Sequence, residues 1–185
     1  QQTKTILRRL DGGKGGPAEM YIYDTINRAR QHFNERLESE TMRLAKNVAL
    51  YSRKELYKIR NERGYQVGDA RNLTKEQVMA LALNWGTERN RQRAIETVKA
   101  NEVEIERLFQ DVLDDRDWEF IIREWDQINS FYPERSAVQE RMTGNPLKKE
   151  EGITFRIGGR TIEGQYYPIM YDPKTSGKSS NHEME

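Results

Sequence analysis

Apolar residues recur along this chain at more than one spacing, and each spacing predicts a different element. Between Ala18 and Arg60 neither Pro nor Gly interrupts. Ile22, Ile26, Ala29, Phe33 and Leu37 recur there every three or four residues, and Leu44, Val48, Tyr51, Leu56 and Ile59 continue the stripe with drift. A helix of that length spans roughly 60 Å at 1.5 Å per residue, against a width of roughly 30 Å for a small domain. Residues 18–61 are therefore expected to form a long basic helix that needs a partner, or a helical hairpin broken near residues 38–41.

Capping patterns mark the helices that follow. In Leu73-Thr74-Lys75-Glu76-Gln77-Val78 the Thr74 hydroxyl can accept from a backbone N–H while Gln77 reaches back, and Leu73 can close over Val78 as a hydrophobic staple. Val78, Met79, Leu81, Ala82 and Leu83 form the apolar side, and Trp85-Gly86 is expected to end the helix with a left-handed glycine. Asn101 with Glu104 opens a second helix, with Ile105, Leu108, Phe109 and Val112 on its inner face. Asp114 or Asp115 caps a third, whose stripe is Trp118, Ile121, Ile122, Trp125, Ile128 and Phe131. Pro133 stops that helix or starts the next, which Gly144 and Pro146 close.

Beyond Pro146 the period changes to two. Ile153, Phe155 and Ile157 alternate with Thr154 and Arg156, Gly158-Gly159 permits a tight turn, and residues 160–164 return as a second strand. Residues 165–172 read as extended, because a residue before proline, here Tyr167, is pushed out of the helical region. The expected fold is mainly α: a multi-helix domain with a long N-terminal helix and a C-terminal β-hairpin or extended strap. Its divisions are a flexible leader over 1–17, the helix or hairpin over 18–61, a helical module with hairpin and strap over 73–172, and a disordered tail over 173–185. Trp118 and Trp125 should sit at the centre of the core, with Tyr166, Tyr167, Pro168 and Tyr171 laid over them.

Composition narrows the chemistry. The 185 residues are 35% hydrophobic and 33% charged, a balance that allows a thin core. Three Trp, nine Tyr and five Phe argue against a wholly disordered chain. The formal charge of +1 is unevenly spread. Through residue 60, 13 Lys and Arg stand against 7 Asp and Glu, a net of +6; over residues 101–151, 7 stand against 14, a net of −7. A protein that coats nucleic acid uniformly would not be charged this way. With no cysteine, disulfides and thiolate chemistry are excluded, and no apolar run is long enough for a membrane-spanning helix.

Candidate sites are few. Asp11-Gly12-Gly13-Lys14-Gly15-Gly16-Pro17 lacks the spacing of a phosphate-binding loop and reads as a linker. His32 and His182 are isolated, so no metal site is expected. Asp111, Asp114, Asp115, Asp117 and Glu119 lack the pattern of a calcium loop and suit the positive end of a helix dipole. Arg89, Asn90, Arg91 and Arg93 are the best polar candidates, since arginines and amides suit phosphates and base edges. The same residue types are more often ordinary helix-surface and capping residues. No cofactor is expected.

Several of these pieces, taken in order, resemble one module of the large polyvalent proteins of phages and conjugative elements. The matching runs are Leu73-Thr74-Lys75-Glu76-Gln77 through Ala80-Leu81-Ala82-Leu83-Asn84, then Gly86-Thr87-Glu88-Arg89-Asn90-Arg91-Gln92-Arg93. After them come Asp117-Trp118, Trp125-Asp126, Arg141-Met142-Thr143-Gly144 and Gly164-Gln165-Tyr166-Tyr167-Pro168-Ile169-Met170-Tyr171-Asp172. Gln165 departs from the Gly-Gly-Tyr-Tyr-Pro pattern of that family. The resemblance implies a non-catalytic structural or interaction module of a virion protein delivered into the bacterial host with the DNA. Its partners would be other domains of the same large polypeptide, other virion proteins or DNA. Its location would be the virion and then the host cytoplasm or periplasm. The alternatives are a nucleic-acid-binding module, using the basic N-terminal helix and residues 89–93, and a fragment of a cell-wall hydrolase.

Overall fold

The computed structural model describes residues 2–168. The chain is mainly α-helical, with a long N-terminal helix and two antiparallel β-hairpins. It divides into two compact units, Gln1–Lys46 and Asn47–Glu185.

The first unit opens with a helix, α1 (Gln2–Leu10), so the leader expected over residues 1–17 is in large part structured. Two features hold it. Leu7 is buried, and the carboxylate of Glu19, on a π-helical turn Glu19–Tyr23, pairs with Lys4 at 3.2 Å and Arg8 at 3.6 Å. The glycine-rich connection is ordered by Asp11, whose side-chain oxygens accept from the backbone N–H groups of Gly16, Ala18 and Glu19 at 2.8–3.2 Å. These contacts hold the Asp11 carboxyl below its ordinary range, the Glu19 N–H contributing most. The chain then runs without a break through α2 (Asp24–Val48). No interruption occurs at residues 38–41.

The second unit carries the core. It comprises α3 (Arg53–Asn61), β1 (Arg63–Val67), β2 (Ala70–Thr74), α4 (Lys75–Leu83), a 3₁₀ turn Asn84–Gly86, α5 (Glu88–Val98), α6 (Glu102–Val112), α7 (Asp115–Asn129), α8 (Tyr132–Thr143), β3 (Thr154–Ile157) and β4 (Arg160–Glu163). Capping boxes start α4 at Thr74 and α6 at Asn101, as their sequences predict; of the two candidate caps for α7 it is Asp114 that serves, in a box with Asp117, and a further box starts α3 at Ser52. Pro133 lies in the first turn of α8, and Gly144, at φ +77°, ends that helix.

Aromatic packing ties these helices to the C-terminal hairpin. Trp85 meets Phe109 edge-on at 5.4 Å, Phe109 meets Trp118 at 6.0 Å, and Trp118 leans on Phe155 of β3 at 6.1 Å. Trp85 and Trp125 are completely buried and Trp118 nearly so. The Trp125 indole N–H donates to the Leu83 carbonyl at 2.9 Å, which satisfies its one polar atom inside the core. The expected β3–β4 hairpin forms, with Phe155 opposite Ile162 and Ile157 opposite Arg160. The β1–β2 hairpin, which the periodicity did not suggest, adds Val67 to the core and carries bulges on both sides of Tyr65.

Gly86 departs from its expected role. It is absent from the left-handed positions, and the helix ends instead in the 3₁₀ turn. A side chain at Gly86 would overlap the Gln165 backbone, and one at Gly164 would come within 2.6 Å of the Gly86 Cα. These glycines exist for close approach. There the Ile153 N–H donates to the Gly86 carbonyl at 3.0 Å, and the Gly164 N–H donates to Ile153 at 2.9 Å.

Candidate functional site

The polar segment expected to bind phosphates or bases forms the start of α5, and most of its side chains face inward or across to neighbours. Asn90 is buried, and its amide donates to the Tyr167 carbonyl at 2.7 Å. Arg91 lies over the Trp85 ring at 5.2 Å and donates to Glu102 at 2.9 Å, with only 12% of its side chain exposed. Arg89 pairs with Glu150 at 3.2 Å. Arg93 lines a shallow hollow of about 310 Å³ with Leu81, Asn84 and Ala94. The four residues share a helix turn and a half without converging on an open surface.

What three of them do is fasten the rest of the module. Asn90 holds the strap through Tyr167, and from the far side the Asn129 amide donates to the Tyr166 carbonyl at 3.2 Å. Gln165 adds a bond to Asp126 at 2.7 Å. Tyr166, Tyr167 and Pro168 are half-buried; burial, and then Glu124, raise the Tyr167 phenol above its ordinary range. Tyr171 lies outside the described residues.

Tyr167 also walls an apolar cavity of about 400 Å³ with Tyr51, Leu56, Met79, Leu83 and Phe120, rimmed by Arg60, Glu76 and Glu124. Arg60 and Glu76 pair with each other at 3.3 Å, and Glu124 accepts from Asn47 at 2.7 Å. Each rim group thus already has a partner.

The acidic run around α7 resolves into a structural lock. Asp114 caps the helix by accepting from the N–H groups of Arg116 and Asp117 at 2.9 and 3.0 Å. Partial burial raises the Asp114 carboxyl, but those N–H groups and Lys75 outweigh it, and the net shift is downward. Asp117 is fully buried. It accepts from the Asp114 N–H at 2.8 Å, the Lys75 ammonium at 2.6 Å and the Tyr51 hydroxyl at 2.8 Å. Burial and this carboxylate push the Tyr51 phenol far above its ordinary range. Sequence alone marked Asp117 as an acid near a helix start; its partners Tyr51 and Lys75 are brought in by the fold. Among the described residues no group of three or more His, Asp or Glu side chains is placed to hold a metal ion.

The remaining unusual surface is on the first unit. The stripe read from the sequence forms a helix face, yet Ile22, Ile26, Phe33, Leu37 and Leu44 are 44–62% exposed. Exposed apolar patches on proteins are in general places where partners bind. Compared with protein families, with curated proteins and with solved structures, the chain matches none of them.

Proposed function

We propose that this chain is a non-catalytic structural and interaction module of a large phage-type protein that enters the bacterial host with the DNA. The observation that supports the interaction half is the row running from Ile22, on the π-helical turn, to Leu44 of α2, whose large apolar side chains are 44–62% exposed. The phage half rests on the ordered resemblance over residues 73–172. In keeping with a structural role, Arg89, Asn90 and Arg91 bind partners inside the module. The second reading, nucleic-acid binding, draws on Arg93 and on the basic balance of residues 1–46, nine Lys and Arg against six Asp and Glu.

Fluorescence anisotropy with labelled duplex DNA separates these readings. A module that is not a DNA binder gives no saturable signal near physiological salt. Several phosphate contacts instead give an affinity that falls steeply between about 50 and 200 mM salt, and that result would replace the first reading with the second. Turbidity of a peptidoglycan suspension should stay constant with the chain present; clearing would move the assignment to a wall hydrolase. The reading frame around this segment should continue into further domains, and a frame confined to a protein of this size would remove the phage half.

A further inference from the structure

After α8 the chain doubles back, and the reversal gathers three cations. Gly144, at φ +77°, ends the helix, and Pro146 cannot continue it. The returning segment is pinned through both backbone groups of Leu147. Its N–H donates to the Ser136 hydroxyl at 3.2 Å, and its carbonyl accepts from the Tyr132 hydroxyl at 2.6 Å. Lys148 and Lys149 are thereby held beside the start of α8, with the Lys149 ammonium 5.5 Å from the centre of the Tyr132 ring. The strap closes the other side, where the Asn129 amide holds the Tyr166 carbonyl. Between them lies a hollow of about 270 Å³, whose lining includes Tyr132, Arg135, Lys148, Lys149, Tyr166 and Pro168.

The charge of this hollow is out of keeping with its surroundings. Residues 101–151 carry a net of −7, yet three of the 7 basic residues in that stretch line it. Among the described residues none of the three cations lies within ion-pair distance of a carboxylate. Glu150, also in the lining, is taken by Arg89 at 3.2 Å. Cations held together without a counter-charge repel one another, and a bound anion relieves that repulsion.

The rings decide which anion. A small inorganic anion would use the cations and leave Tyr132, Tyr166 and Pro168 without a role. A nucleotide uses both, its phosphate on the basic groups and its base against an aromatic ring, the combination by which single strands are held. Lys149 already covers the Tyr132 ring, which leaves Tyr166 for the base. Bases inside a duplex are stacked on one another and must be flipped out to reach such a ring.

We propose that the hollow between α8 and the strap binds a nucleotide of a nucleic-acid single strand, its phosphate against Arg135, Lys148 and Lys149 and its base on Tyr166. This goes beyond the module reading and does not rest on it. The full chain is to be titrated, by fluorescence anisotropy, with a labelled oligothymidylate of about 12 nucleotides, within the usual span of single-strand sites, and with a labelled duplex of the same length. The single strand should bind at least tenfold more tightly than the duplex. Lys148→Glu combined with Lys149→Glu should weaken it at least tenfold and flatten its salt dependence, because phosphate contacts set that slope. Both lysines are exposed, so this variant leaves the core untouched. Tyr166→Leu should weaken binding at least threefold with the salt dependence unchanged, and Tyr166→Phe should bind like the wild type. Equal binding of strand and duplex, no binding, or binding indifferent to the two lysine substitutions overturns the proposal. So does displacement of the strand by poly-glutamate at equal charge, which identifies an acidic peptide, or by thymidine monophosphate at equal nucleotide concentration, which identifies a free nucleotide.

Discussion

Trp125 illustrates what one side chain must satisfy in this core: its ring is completely buried and its N–H is bonded to Leu83. Trp125→Ala removes the ring contacts and leaves the Leu83 carbonyl without that donor, so unfolding by urea should show a loss of about 3–5 kcal/mol. A near-neutral change would mean that the core had been misplaced. Glu55 is a quieter case at the surface. Hydrogen bonds from the Ser52 side chain and backbone, and then Arg116, lower its carboxyl from 4.5 to about 2. A depressed carboxylate stabilises the fold at pH values above its ordinary 4.5, and that contribution disappears as pH falls through about 2. Carboxyl titration by NMR should give a midpoint near 2 for Glu55, and Ser52→Ala should raise it. A wild-type midpoint at the ordinary value would remove the capping box that starts α3.

At the scale of elements, what could be read from sequence was what depends on neighbours along the chain. The capping boxes at Thr74 and Asn101 each join residues three apart, and both form; at α7 the cap is Asp114, one of the two candidates, and Asp117 closes a box with it. Ser52-Arg53-Lys54-Glu55 has the same pattern and could have been read the same way. Tyr65 and Val67 before Gly68-Asp69 carry a hairpin signal too, weakened by the polar strand that follows. Gly86 could not be read, because its reason is the backbone of Gln165, which follows β4 nearly eighty residues later. Gly86→Ala tests that reason. The added methyl would overlap the Gln165 backbone, and relieving it should cost about 1–3 kcal/mol. Hydrogen exchange should accelerate at the Ile153 and Gly164 amides, which bond at this crossing, and remain unchanged in the middle of α6. Uniform acceleration, or none, would contradict a local crossing.

Across the whole molecule, the candidate site divides along the same line between local and distant causes. The pattern that placed Ile22, Ile26, Phe33 and Leu37 on one helix face is local and holds; whether that face is covered depends on what lies opposite, which periodicity does not encode. The same limit applied to Asn90 and Arg91, whose types suit phosphates but whose partners, Tyr167 and Glu102, come from the strap and from α6. The two units should therefore differ in stability. Among described residues the first unit buries one large apolar side chain, Leu7, whereas the second buries three tryptophans, Phe109, Ile105 and Ile121 together. Backbone amides open locally where few apolar contacts hold them and globally where many do. Amides in the middle of α2 should then exchange by local opening, orders of magnitude faster than those of α4, α6 and α7. If α2 is already as protected as α7 without any partner, the row from Ile22 to Leu44 is not waiting for one, and the interaction reading loses its support.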